Sequence, residues 1–565
     1  MKKKVLPVMI AVVLIIVIAG VSVGATLWER YSYTKERADL SEYFGISGET
    51  DVAIILQDEI LEERARIWDG VYYLDLNTVH QYFNARFYED RGEGLLLYTI
   101  PDDIIKTEIG SSEVSDGDGS RSMGYVPARY EGDTLYVAVD YVKQYTNFEY
   151  EGFMEPNRLQ IYTLWEERQV AEAKKDTAVR VLGGVKSEIL EEISAGDKVV
   201  ILEQMETWSK VKTEDSVIGY VENKRLNDPR VELPIPVTDY EEPVYTSQTR
   251  EGKVNIGWHV VAGPGGNDTL DEVIANAKAL TVISPTWFKL NDNEGGFTSF
   301  ASQSYVDKVH GMGMEVWGLV ENIEYKDSID MYAILSSTTT RAKLIDGLIN
   351  EALSYGLDGI NVDFEQISSD CGEHFIEFIR ELSIPCRLNG LVLSIDNYVP
   401  MGGTDHYNRT EQGIVADYIV IMGYDEHYAG SKEAGSVASI NFVEKGIEQT
   451  LAQAPPEKVI NAVPFYTRIW ETKDGAIGSQ AVGMDTAEEF VRAHNITVEW
   501  NEETCQNYGE YTADGSLFQV WLEDERSIEV KLNIMDKYKI AGVACWRLGF
   551  EKPEIWDQME EYMNR

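Results

Sequence analysis

Along residues 253–565 short apolar runs alternate with longer stretches whose apolar residues recur at helical spacing. The runs fall at 254–261, 280–288, 315–320, 359–365, 391–395, 418–424, 459–465 and 542–546, and each reads as a buried strand. Between them, segments such as 269–278, 340–354 and 372–382 carry the period of helices that pack by one face. Strand then helix, repeated around eight strands, predicts an α/β fold of the closed (β/α)8 or TIM-barrel type. The gap between the seventh and eighth runs, residues 470–540, is unusually long and rich in Trp, Tyr and Thr.

Upstream the pattern changes character more than once. Residues 5–25 are apolar except for little more than Pro7 and Ser22, and they follow Lys2, Lys3 and Lys4. That is the length of a bilayer-spanning helix with its lysines on the cytoplasmic side. An uncleaved anchor over residues 1–29 is the expectation, and a secretory signal cleaved near Val23, Gly24 and Ala25 is the alternative. Either way the rest of the chain lies outside the membrane. Residues 50–165 hold an internal repeat: Tyr73, Leu76, Val79, Gln81, Tyr82 and Asn84 recur at a constant offset as Tyr136, Val139, Val142, Gln144, Tyr145 and Asn147. In each copy a turn at Gly70 or Gly132 leads to a strand, a short helix and an aromatic strand, giving an α+β stalk module. Residues 110–122, rich in Ser, Gly and Asp, read as a mobile loop. Residues 176–226 contain β-type runs at 178–181, 198–202 and 209–212 between Gly and acidic turns, the pattern of a small β-barrel. Trp208 and Tyr220 are expected in its core rather than stacked on a ligand. Pro229, Pro234 and Pro236 mark 227–252 as an extended linker.

A chain of 565 residues exceeds one ordinary core and implies three or four domains. A net charge of −46 excludes nucleic acid and other polyanions as partners. The cysteines Cys371, Cys386, Cys505 and Cys545 lie in no zinc-like spacing and are too few for a disulfide framework, so they are read as packing residues.

The chemistry concentrates in residues 355–366. Ile360, Val362 and Phe364 alternate with Asn361, Asp363 and Glu365, so on a strand the three polar groups share one face. In a barrel that face is the lumen, and Glu365 falls at the C-terminal mouth where such folds keep their active sites. Two carboxylates so close repel. The expectation is that Glu365 stays protonated as a general acid while Asp363 stays ionised.

Asp358, Asp363 and Glu365 resemble three of the four acids of the D-G-x-D-x-D-x-E motif of glycoside hydrolase family 18, with Asn361 in place of the middle aspartate. Asn361 can donate a hydrogen bond to Asp363 but cannot exchange a proton with it. Further motifs follow in barrel order: Met422, Tyr424 and Asp425 resemble the family's M-x-Y-D, residues 464–468 its seventh-strand motif, and Trp546 its eighth. The resemblance covers residues 253–565 and implies that 470–540 form the small α+β insertion of many family members. It implies retaining hydrolysis of β-1,4-linked N-acetylglucosamine glycans, with the sugar's own acetamide as nucleophile and no cofactor or metal. Glu365, Asp363 and Tyr424 would be catalytic; Asn361, Met422, Asp425, Tyr466, Trp546 and Trp258 would bind substrate, with Trp287 another aromatic candidate for the groove. Val179, Gly183, Trp208, Gly219 and Tyr220 resemble a bacterial SH3 domain, and the repeat resembles the copper amine oxidase N-terminal-like module. The combined expectation is a membrane-anchored enzyme outside the cell. Peptidoglycan is the expected substrate and the cell wall the expected partner through the SH3-like domain; a chitinase or a non-catalytic glycan-binding protein is the alternative.

Overall fold

The computed structural model describes residues 5–236 and 238–565, and the lysines at 2–4 lie outside the described residues. An exposed apolar helix, Val5–Tyr31, opens the described chain and is by length and composition able to cross a membrane. The chain then divides into two compact units. One takes the chain up to Phe87 with Thr107–Glu113 and Arg121–Glu242, and the other takes Tyr88–Lys106, Val114–Ser120 and Pro243–Arg565.

The first unit contains two seven-stranded sheets. In one, the two repeat copies lie side by side: strands Val71–Asp75 and Thr134–Ala138 pair antiparallel, and each runs into a short helix, Leu76–Tyr82 or Val139–Lys143. The turns before them use Gly70 at φ 81° and Gly132 at φ 61°, a left-handed conformation that glycine adopts without strain. The other sheet wraps a core of Val179, Val199, Val211 and Val221. Small β-branched residues fill that core, which leaves Trp208 and Tyr220 half-buried at its edge rather than inside it.

In the second unit eight parallel strands form a barrel: β1 (Val254–His259), β2 (Val282–Pro285), β3 (Glu315–Glu321), β4 (Gly359–Asp363), β5 (Val392–Tyr398), β6 (Tyr418–Met422), β7 (Val459–Pro464) and β8 (Gly542–Trp546). Successive strands pair in parallel and β8 returns to β1, with Gly542 opposite Val254. This is the (β/α)8 fold that the alternating pattern predicts. Alternate residues feed two cores. Ile360, Val362 and Phe364 pack outward among the helices, whereas Trp258, Trp317, Val420 and Tyr418 fill the lumen, with the Trp317 and Tyr418 rings stacked at 5.6 Å.

Two helices differ from expectation. The first is only Leu270–Val273, because Leu270 alone of its residues is buried. Helix Gly372–Leu388 instead continues through Pro385, which removes only one N–H in the last turn. The insertion after β7 is a five-stranded antiparallel sheet with helix Met484–Ala493, and its first strand begins at Tyr466.

The region expected as one stalk module is divided. Residues 110–122 are not a loop: they contribute strands Glu113–Asp116 and Gly119–Ser122 to a five-stranded meander that starts at Phe87. Its leading residues belong to the barrel unit. Asp90 accepts hydrogen bonds from the backbone and hydroxyl of Thr338, and Glu93 from Thr339, at the N-terminus of helix Thr338–Tyr355. Negative charge there meets the unpaired N–H groups and the positive end of the helix dipole. The hydroxyl of Tyr88 accepts from Arg341, whose guanidinium is fully buried and bidentate to Glu381 at 2.9 and 2.8 Å.

Candidate active site

Strand β4 delivers the acids to the barrel mouth. At its start Asp358 has a structural part: its Oδ2 accepts from the Val316 N–H at 2.8 Å and lies 2.7 Å from His310 Nε2, which ties β4 to β3. Beyond Asp363 the chain leaves the barrel, and Asn322 clasps the Glu365 backbone from the end of β3. Its Oδ1 accepts from Glu365 N–H at 2.9 Å and its Nδ2 donates to Glu365 C=O at 2.8 Å. Tyr398, at the end of β5, donates its hydroxyl to Glu365 Oε2 at 2.8 Å. The carboxyl is thus fixed by packing and hydrogen bonds rather than left as a mobile surface acid.

Burial pushes the Glu365 carboxyl above its usual range; Asp425 and Glu321 add to the rise, and the Tyr398 hydrogen bond opposes it. The direction is the one the spacing implies, but the cause is different. The expected division of charge does not hold. Burial, followed by Asp396, Glu365 and Glu321, drives Asp363 above the ordinary carboxylate range as well, the direction opposite to the one expected. Its Oδ1 is buried and has no hydrogen-bond partner among the described residues.

Asn361 does not donate to Asp363. Its Oδ1 accepts from Trp258 Nε1 at 2.8 Å and Ser284 Oγ at 3.0 Å, and its Nδ2 donates to Asp396 Oδ1 at 2.9 Å. Both Asn361 and Trp258 are sealed in the lumen, 0% and 1% exposed, so neither can line a groove and the expectation that they bind substrate is corrected. Trp287 is likewise a core residue, 0% exposed. The Trp258 indole on β1 fills the lumen, and that of Trp287, just beyond β2, packs in the outer core among the helices.

The other expected residues do converge. Tyr424 and Trp546 both pack at the border of the two cores and remain half-buried. Tyr466 donates its hydroxyl to Asp425, and its ring meets that of Tyr424 edge-on at 6.1 Å. Met422 ends β6 and is buried. Trp546, the last residue of β8, stands edge to face with Trp258 at 5.8 Å. The result is an acid flanked by a second carboxyl, two tyrosines and a tryptophan, an arrangement suited to protonating a leaving oxygen beside a sugar ring.

Sequence reasoning missed Asn322, Tyr398 and Asp396. The last two were within reach, since Ser394, Asp396 and Tyr398 alternate with Leu393, Ile395 and Asn397, the same two-residue period that exposed Asp363 and Glu365. Ending that strand at Ile395 hid them.

Barrel and mouth together make a (β/α)8 domain with its acids gathered at the C-terminal end of the strands. Residues 325–551 match the family described as Glycosyl hydrolases family 18. The chain is 31% identical over 227 residues to a Bacillus subtilis protein named "Putative sporulation-specific glycosylase YdhD", covering 39% of this chain and 53% of that protein. It is 26% identical over 256 residues to the Cortical fragment-lytic enzyme of Bacillus anthracis, covering 43% of this chain and 59% of that protein. The chain therefore spans little more than half the length of these two relatives. A chitinase structure from Chromobacterium violaceum superposes with a TM-score of 0.50 at 20% identity, over 55% of this chain and 99% of that one, a likeness of fold.

Proposed function

We propose that the protein hydrolyses the glycan strands of peptidoglycan with retention, through substrate assistance. The observation that carries this reading is the Glu365 carboxyl, held by Tyr398 and raised above its usual range by burial, beside Asp363 at the mouth of the barrel. Glu365 protonates the glycosidic oxygen as the sugar's acetamide oxygen closes on C1, and then takes a proton from the attacking water. Asp363 orients the acetamide and, once ionised, faces the oxazolinium cation, with Tyr424 donating to the acetamide oxygen. Trp546 floors the −1 sugar, and Met422, Asp425 and Tyr466 shape its pocket.

The substrate choice rests on context. The relatives include proteins named for lysis of cortical fragments and for sporulation. An apolar N-terminal helix able to act as an anchor stands ahead of the repeat module and the SH3-like sheet, which we read as a stalk and a wall-binding element. N-acetylglucosamine rather than muramic acid fits the −1 position, because a lactyl ether on O3 would crowd Trp546 and Tyr424. Digestion of purified wall by the full chain, borohydride reduction and mass spectrometry should show reduced N-acetylglucosamine ends. Reduced muramic ends would reverse the bond, and cleaved chitin oligomers beside intact wall would make the protein a chitinase. Glu365→Gln should lower the rate by about 100-fold or more while glycan binding persists; hydrolysis at the parent rate would remove Glu365 from its role.

A further inference from the structure

Asp396 is a buried acid at the centre of the barrel for which the reaction above has no use. It is 2% exposed on β5, and its Oδ1 accepts from Asn361 Nδ2. The orientation of that carboxamide is fixed. An indole N–H can only donate, so Trp258 requires the oxygen of Asn361 on its side, and the amide nitrogen must face β5. Asn361 therefore serves Asp396 and offers nothing to Asp363, whose Oδ1 is left buried and unpaired among the described residues. Asp363 closes β4 and Asp396 lies on the neighbouring β5, where Val362 pairs with Ile395, so the two carboxyls stand at the same level on the lumen face. Two bare charges there would both be desolvated, and among the described residues no cation acts on either.

We propose that Asp396 is the partner acid of Asp363, a positioning residue with which it holds one proton between two carboxyls, Asn361 being the spacer that fixes Asp396 in place. The position where the sequence has lost an acid, 361, thus has its counterpart one strand further round the barrel. This rests on the hydrolase reading only for its purpose. As cationic charge grows on the sugar, the proton of the pair resides on Asp396 and the negative charge on Asp363; when the product leaves, the pair returns to its resting distribution. One proton is conserved within the pair, and no substrate bond is made or broken at Asp396. The titratable groups that act on Asp396 are Asp363 and Glu365 from the β4 end and Tyr424 beyond β6; Glu321 from β3 acts on Asp363 and Glu365, and Tyr398, Asp425 and Lys326 act on Glu365.

Infrared difference titration of the full chain in detergent reads the pair without turnover. In a Glu365→Gln background, which removes that acid's band, the protein should show a protonated buried carboxyl at neutral pH. Adding Asp396→Asn should abolish it, because Asp363 relieved of its neighbour ionises; an unchanged band overturns the proposal. In the active enzyme, Asp396→Asn should move the acid limb of the pH–rate profile down by about 1 unit, since Asp363 must be ionised to work and its pKa falls. It should lower kcat by about tenfold, the rate equivalent of one pKa unit, with KM little changed. Returning an acid to β4 with Asn361→Asp in the Asp396→Asn variant should restore both, and a double variant no better than the single one also overturns the proposal. An inactive parent whose band still depends on Asp396 would remove the hydrolase reading and support the pair.

Discussion

Tyr398→Phe isolates one oxygen in the machinery around Glu365. The hydroxyl makes two hydrogen bonds, donating to Glu365 Oε2 at 2.8 Å and accepting from the exposed Gln366 N–H at 3.3 Å. Water can replace it at the second, so the fold should survive; the ring, edge-on to Tyr407 at 6.0 Å, keeps its packing. The first bond favours the ionised carboxylate, and a hydrogen bond to a charged group contributes about 1.5–3 kcal/mol. Part of that is returned when Glu365 takes up its proton, so a net preference of about 1.4 kcal/mol, or one pKa unit, is expected. Its removal raises the Glu365 pKa further. A general acid works while protonated, so activity is lost as pH rises through that pKa, and the alkaline limb of kcat/KM should move up by about one unit. A fluorogenic chitooligosaccharide followed across pH with the full chain measures it. A limb that stays in place or moves down would refute the assignment of Tyr398 as the group that tempers Glu365.

Two further expectations concern the scaffold. Arg341→Met leaves Glu381 buried with no bidentate cation, which should lower stability by about 3–5 kcal/mol in urea unfolding, and adding Glu381→Leu should recover most of it. A loss under about 1 kcal/mol would show that the pair is not buried as described. Gly542→Ala would place a methyl 1.9 Å from Val254 C=O, where β8 closes on β1. The strands must part, at a cost at or above the upper end of the roughly 1–3 kcal/mol typical of overpacking, seen as a lower thermal midpoint; an unchanged midpoint would contradict that contact.

The barrel was legible because its strands are buried on both faces and its helices on one, so two different periods alternate along the chain. Glu365 and Asp363 were legible for the same reason, as polar positions inside an apolar alternation. The causes that shift them were not: burial is the largest, and the charges that add to it come from Asp396 and Glu321 on other strands and Asp425 beyond β6, at separations in sequence that no spacing rule joins. Trp258 misled because an aromatic beside glycine reads alike whether it closes a lumen or lines a mouth, and only the donor geometry to Asn361 tells which. The meander at 87–122 was hidden by composition, since Ser-, Gly- and Asp-rich hairpins look like loops until their partners are known.

That meander bears on how such a chain can be cut or recombined. A gene fragment starting at Pro243 would encode every strand of the barrel and neither of the acids seated at the head of helix Thr338–Tyr355, nor the tyrosine hydroxyl that Arg341 reaches. The catalytic barrel is thus not an interchangeable cassette. Proteolysis in the linker would shed a barrel whose flank has lost its native contacts, and exchange of upstream modules between related genes must carry residues 88–106 along or rebuild the helix terminus they cover.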